Sequence, residues 1–314
     1  MRHNSQNVNF LTLQNPQPNA GGFVEVEAFA KINLFLDIVS KRCDGYHEIV
    51  SVMQAVNLSD SLLLQKMPPG AGLVQLDINI PGLPADDTNL VVKAAKLLME
   101  KYKISHQVRI KLTKRIPMGA GLGGGSSDCA ATMHGINRLF SLNLSIDELI
   151  ETGKTLGADV PFCLLVNIQG GAAFAQGIGE KLTPLPSYPS CSVVLACPKV
   201  HVSTKELFAK LQYQNLVSNA NKNIDKFVSI YKSRDICALT RSFYNIFTPV
   251  TSNLHPQISA LISGLQKQGA LGAEMTGTGA TVFAYFTNEN NAKAACDTLR
   301  QIYTDTEFFV TTTV

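Results

Sequence analysis

The sequence has no basic run or stripe, no paired-cysteine motif and no long apolar stretch. With a net charge of only +3, the first absence argues against a general nucleic-acid binder, which gathers Lys and Arg on one face. The seven cysteines (Cys43, Cys129, Cys163, Cys191, Cys197, Cys237 and Cys296) are odd in number, widely spaced and form no C-x-x-C. Neither a disulfide framework nor a zinc site is therefore expected, and reduced thiols in a cytoplasmic protein are. No apolar stretch approaches the ~18 residues of a membrane span. Met1 to Gly22 lacks an apolar signal core and is rich in Asn, Gln and Pro, so it reads as a poorly ordered extension. No internal repeat is present.

What is there suits two domains. The chain has 314 residues, 45% of them hydrophobic and 16% charged, ample for buried cores. From Val24 the pattern alternates as a long strand: Val24, Val26, Ala28, Ala30, Ile32, Leu34, Leu36 and Ile38 on one face, Glu25, Glu27, Phe29, Lys31, Asn33, Phe35 and Asp37 on the other. Asp44-Gly45 marks a turn. Strands are expected over 51–64, 108–112, 192–197 and 280–286, and helices over 88–102, 204–211, 256–268 and 289–303. Ser145 and Glu148 form a capping box for a further helix, with Gly157 past its end. Pro184-Leu185-Pro186-Ser187-Tyr188-Pro189 is the best linker. The division expected is 1–22 as the extension, 23–184 as an N-terminal domain and 185–314 as a C-terminal domain, both of α+β architecture.

The strongest chemical signal is the run Pro117-Met118-Gly119-Ala120-Gly121-Leu122-Gly123-Gly124-Gly125-Ser126-Ser127 between a strand and a helix. Glycine lets a backbone approach phosphates closely, and a helix N-terminus supplies free N–H groups and a positive dipole end. The helix is expected to start after Ser126, with the Ser126 and Ser127 hydroxyls within reach of phosphate or Mg²⁺. Walker A is excluded because no Lys stands between the last glycine and the serines. A dinucleotide fingerprint fits poorly, because the helix would start outside the G-x-G-x-x-G letters. A second cluster, Thr276-Gly277-Thr278-Gly279, reads on its own as a sharp turn. Lys31 and Asp159 are the acid–base candidates. Their alternatives are a solvated strand lysine and a helix cap before Pro161.

Together these motifs resemble the GHMP kinases, the superfamily of galactokinase, homoserine kinase and mevalonate kinase. The resemblance rests on Ala30 to Leu36, Asp44-Gly45-Tyr46-His47, Asp87-Thr88-Asn89-Leu90, Pro117 to Ser127, Leu156 to Pro161 and Thr276 to Ala280. Within the superfamily it is similar to the member acting on a cytidine-diphosphate-linked alcohol. It implies a ribosomal-S5-like N-terminal domain against a ferredoxin-like C-terminal domain, ATP as co-substrate with Mg²⁺, and a monomer or weak homodimer. It further implies Lys31 and Asp159 as the catalytic pair, Pro117 to Ser127 as the ATP phosphate loop and Asn89 near adenine. On the acceptor side it implies Asn33, Tyr46, His47 and the Thr276–Gly279 turn, with Phe208 stacking on cytosine.

Overall fold

A computed structural model of the chain describes residues 22–70, 72–211 and 220–314. The expected extension, apart from Gly22, lies outside the described residues.

The N-terminal half is built on two long antiparallel strands, β1 (Phe23–Lys41) and β2 (His47–Met67). They are joined by a tight turn in which Gly45 adopts φ +88° and Arg42 pairs with Asp44. β2 is long enough to carry two partners on its other edge. One end pairs with β4 (Gln107–Thr113), itself flanked by β3 (Val74–Ile78). The other end pairs with β5 (Ala172–Gly177), which continues into β6 (Lys181–Pro184). Helices α1 (Leu90–Lys101), α2 (Gly124–Leu139), α3 (Ile146–Gly153) and α4 (Val160–Gln169) belong to this half. Apolar side chains of β1, β2 and β4 meet those of α1, α2 and α4 in one core.

The second sheet has the order β11-β7-β10-β9, antiparallel throughout: β7 (Ser192–Pro198), β9 (Gly272–Met275), β10 (Val282–Phe286) and β11 (Thr306–Thr312). With it go α5 (Thr204–Lys210), α6 (Ala220–Ser233), α7 (Ile236–Arg241), α8 (Thr248–Leu254), α9 (Gln257–Lys267) and α10 (Glu289–Arg300). One short strand crosses between the halves: β8 (Tyr244–Asn245) pairs in parallel with Phe35 and Leu36 of β1.

The alternation expected for β1 holds up to Phe29, then gives way to continuous burial from Ala30 to Ile38. Register shifts fall between Phe29 and Ala30 and between Asn33 and Phe35. This stretch packs on a second core that includes Leu195, Phe227 and Phe283, so both faces are covered. Lys31 and Asn33 thus stand on a strand that has no solvated face around them.

α2 and α4 are fastened by His134, whose Nε2 donates to the Leu164 carbonyl at 2.9 Å in a fully buried position. Burial pushes this imidazole down to about 4. The folded protein binds the proton less readily than the unfolded chain, so His134 contributes its full stability above pH ~6.5 and loses it as pH falls towards 4. The expected loss is on the order of 3 kcal/mol. Urea denaturation across that range should show the slope, and His134→Gln, which keeps an N–H donor without titrating, should flatten it.

Candidate active site

The glycine run leaves β4, loops through Gly119, Gly121 and Gly123 at φ +65°, +76° and +71°, and enters α2 at Gly124. The helix therefore starts three residues earlier than expected, because Gly123 takes the left-handed N-cap conformation that a residue with a Cβ resists. The N–H groups of Gly124, Gly125 and Ser126 precede the first intrahelical bond, Ser127 N to Gly123 O at 2.9 Å. Beside them lies a cavity of about 430 Å³, bounded by Leu83, Pro84, Asn89, Leu90, Lys114 and the loop itself from Pro117 to Ser126. This is a phosphate-sized chain of donors next to an apolar slot.

The earlier helix start changes the role expected of Ser127. Its side chain is turned inward, the hydroxyl donating to Phe29 O at 2.8 Å in a fully buried position. Ser126 lines the cavity. Asn89 also lines it, but its amide is used locally. Oδ1 accepts from Val91 N at 2.9 Å as the cap of α1, and Nδ2 donates to Pro84 O at 2.8 Å.

Lys31 and Asp159 come together across the end of the loop, Nζ to Oδ2 at 3.4 Å, the lysine buried and the carboxylate 37% exposed. Asp159 precedes α4, yet its side chain makes no capping bond. Its carboxylate is thus free of the helix and faces the lysine. Lys31 is held from three sides. Its backbone N–H donates to Leu122 O at 2.9 Å, its Nζ donates to Asn33 Oδ1 at 2.9 Å, and its stem passes where a Cβ on Gly123 would stand, 2.9 Å from Cγ.

Asn33 is a buried junction and makes no open binding surface. Its Nδ2 donates to Ser51 Oγ at 2.8 Å, its backbone N–H donates to Thr276 Oγ1 at 2.9 Å, and Oδ1 also accepts from Thr276 Oγ1 at 3.2 Å. Asn33 and Thr276, both expected on the acceptor side, are therefore buried and bonded to each other. The second glycine cluster packs directly on the first. A Cβ on Gly121 would stand 2.7 Å from Thr276 O and 2.9 Å from Gly279 O. Gly277 and Gly279 sit at φ +58° and +97°. Thr278 reaches the other way, its hydroxyl 3.0 Å from that of Thr204.

Of the residues expected on the acceptor side, His47 stacks on Phe208 with centroids 4.6 Å apart and planes inclined by 21°. Phe247 meets Phe208 edge-on. Tyr46 stands apart, 61% exposed. His47 thus covers one face of the Phe208 ring, and Tyr46 lies outside that stack. Burial, then the nearby Lys41 charge, holds the His47 imidazole below its usual range. A neutral ring offers one donor and one acceptor.

Two groups escaped the sequence reading. Asn245 is buried, and its Nδ2 donates to Met275 O and Gly277 O, both at 2.8 Å, bracing the second glycine turn from β8. Asp60, Lys114 and Asp128 form a buried charge cluster behind the first loop, in contact through Lys114 Nζ. Burial works against the charged form of Lys114, but the Asp128 and Asp60 carboxylates outweigh it and raise the ammonium overall. No spacing rule relates these residues, because the strand register brings them together.

Residues 89–167 match the GHMP kinases N terminal domain and residues 232–305 the GHMP kinases C terminal domain. The class that the fold and the site define is a small-molecule kinase with ATP as co-substrate. The chain is 40% identical over 93% of its length to 4-diphosphocytidyl-2-C-methyl-D-erythritol kinase of Acetivibrio thermocellus, covering 99% of that protein. It is 41% identical to the kinase of the same name from Clostridioides difficile, over 86% of this chain and 89% of that one. The chain belongs to the 4-diphosphocytidyl-2-C-methyl-D-erythritol kinase family of GHMP kinases. A crystal structure of 4-(cytidine 5'-diphospho)-2C-methyl-D-erythritol kinase superposes with a TM-score of 0.75 at 28% identity, over 92% of this chain and 99% of that one. Homoserine kinase from Cytophaga hutchinsonii shares the fold, with a TM-score of 0.73 at 24% identity over 92% of this chain and 94% of that one.

Proposed function

We propose that the protein transfers the γ-phosphoryl group of ATP to the 2-hydroxyl of 4-diphosphocytidyl-2-C-methyl-D-erythritol, a step of the non-mevalonate route to isoprenoid precursors. The observation that carries the chemistry is the Lys31–Asp159 pair at 3.4 Å, set at the end of the glycine loop. Phosphoryl transfer passes through a loose transition state, so the protein mainly positions groups and neutralises charge. The loop N–H groups hold the phosphates. Asp159 orients the acceptor hydroxyl and accepts its proton. Lys31 stabilises the transferring phosphoryl with its positive charge.

Among the described residues no group of three or more His, Cys, Asp or Glu could hold a metal. That fits Mg²⁺, which keeps several waters and is carried largely by substrate phosphates. Ser126, on the cavity wall, is the hydroxyl in reach of such an ion. The ion would neutralise charge on the phosphates. His47 supplies hydrogen bonds to the cytosine edge, and Phe208 supplies an aromatic face. All seven cysteines are free thiols, which supports a cytoplasmic location. No helix among the described residues is long and apolar enough to cross a membrane.

The test is ADP release measured with CDP-methylerythritol, galactose, homoserine and mevalonate as acceptors. Only the first should turn over efficiently, and equal or better use of another alcohol would overturn the assignment of the substrate. Phe208→Ala should raise the acceptor KM by roughly 10- to 100-fold, the worth of base–aromatic stacking, with the KM for ATP little changed. A mutant with unaltered acceptor KM would remove Phe208 from the pocket.

A further inference from the structure

We propose that Asp60, Lys114 and Asp128 form a buried clamp that fixes the two ends of the phosphate loop relative to each other. The proposal rests on the reading of Pro117 to Ser127 as the nucleotide loop.

The three residues come from three elements. Asp60 is on β2, Lys114 follows β4, and Asp128 lies in the first turns of α2. All are buried, with 0%, 9% and 4% exposure. Asp60 divides its carboxylate. One oxygen accepts the backbone N–H of Arg115 and, at 2.8 Å, of Ile116, and the other takes Lys114 Nζ. Nζ also donates to Asp128 Oδ2 at 2.7 Å. The entry of the loop is therefore tied to β2, and β2 is tied through the ammonium to the start of the helix that receives the loop. A Cβ on Gly124 would stand 3.3 Å from Nζ, so the helix start rests closely against this group.

Energetics favour a positional role. A buried ion cluster contributes little net stability against a well-packed apolar one, because desolvation offsets the attraction. Burial, only partly offset by Lys114, pushes the Asp128 carboxyl up to about 8, so near neutral pH the cluster presents little net charge to the cavity it borders. Its geometry is what the site uses.

Asp60→Asn and Asp128→Asn keep shape and change the bonds that hold Lys114 and the loop entry. If the cluster only fills space, ADP binding should be unchanged. If the clamp matters, ADP should bind about 10-fold or more weakly, the scale expected when a distant change misplaces a site. Calorimetric titration with ADP on the full chain reads this directly. In steady-state kinetics the KM for ATP should rise with it, while the acceptor KM stays within about 2-fold, a split that general destabilisation would not produce. The double mutant should be no weaker than the weaker single mutant, as for groups acting as a unit. Tighter or unchanged ADP binding in the folded variants, or additive losses, would overturn the clamp. Where Asp60→Asn fails to fold, Asp128→Asn decides alone. A wild-type protein that does not bind ADP would sink the reading of the loop itself, an outcome separate from either.

Discussion

Asp159→Asn should leave a folded protein that binds both substrates and turns over roughly 10²–10⁴-fold more slowly, the worth of a positioned base. The structure makes this substitution unusually clean. The Asp159 side chain makes no capping bond, so no helix contact is lost, and Asn keeps the shape. What disappears is the carboxylate facing Lys31 at 3.4 Å. The loss should fall on kcat, because the interaction strengthens in the transition state. Lys31→Met should also lower kcat, and the double mutant should be little worse than the worse single one. Single-turnover phosphorylation is the measurement. A fully active Asp159→Asn enzyme would end the acid–base role proposed for this residue.

Gly123→Val should abolish measurable ADP binding, a loss of about 100-fold or more, because two costs fall on one position. The backbone at φ +71° disfavours a β-branched residue strongly. The new Cβ would also stand 2.9 Å from Lys31 Cγ, so the substitution strikes the loop and the lysine together. Gly121→Ala tests the same wall from the other side, where two backbone carbonyl oxygens, at 2.7 and 2.9 Å, have no flexible end to give way. Calorimetry with ADP, paired with thermal melting to show an intact fold, distinguishes a blocked loop from an unfolded one. Normal ADP affinity in a folded Gly123→Val protein would reduce this stretch to a turn.

The parts of the site legible in the sequence were those written in short runs. The glycine loop announces itself in eleven consecutive residues, Pro117 to Ser127. Strand alternation was enough to put Lys31 and Asn33 on one side, and the structure joins them at 2.9 Å. The errors came where a local rule met a boundary. Starting α2 at Gly124 turns Ser127 into the protein, a rotation that a start after Ser126 would not give. The illegible parts depend on register. Asp60 reaches Lys114 across 54 positions of sequence, and Asn33 reaches Thr276 across 243. Neither separation leaves a spacing pattern, because the partners are chosen by how strands pair. The His47–Phe208 stack is of this kind too, joining residues 161 positions apart.

The strand β8 has a consequence for anyone recombining this enzyme with its relatives. It lies in the C-terminal half of the chain but adds itself to β1 beside Phe35 and Leu36, and Asn245 on it braces the turn that touches Asn33. A chimera cut between Pro184 and Ser192 would therefore replace, along with the second sheet and its helices, one strand of the sheet built on β1. Such a hybrid would have to match β1 at Phe35 and Leu36 and the Asn33–Thr276 bond, which lies next to Lys31. Crossovers that keep residues 244–247 and 275–279 with the parent of β1 preserve that seam, and the exchangeable cassette is correspondingly smaller than the sequence boundary suggests.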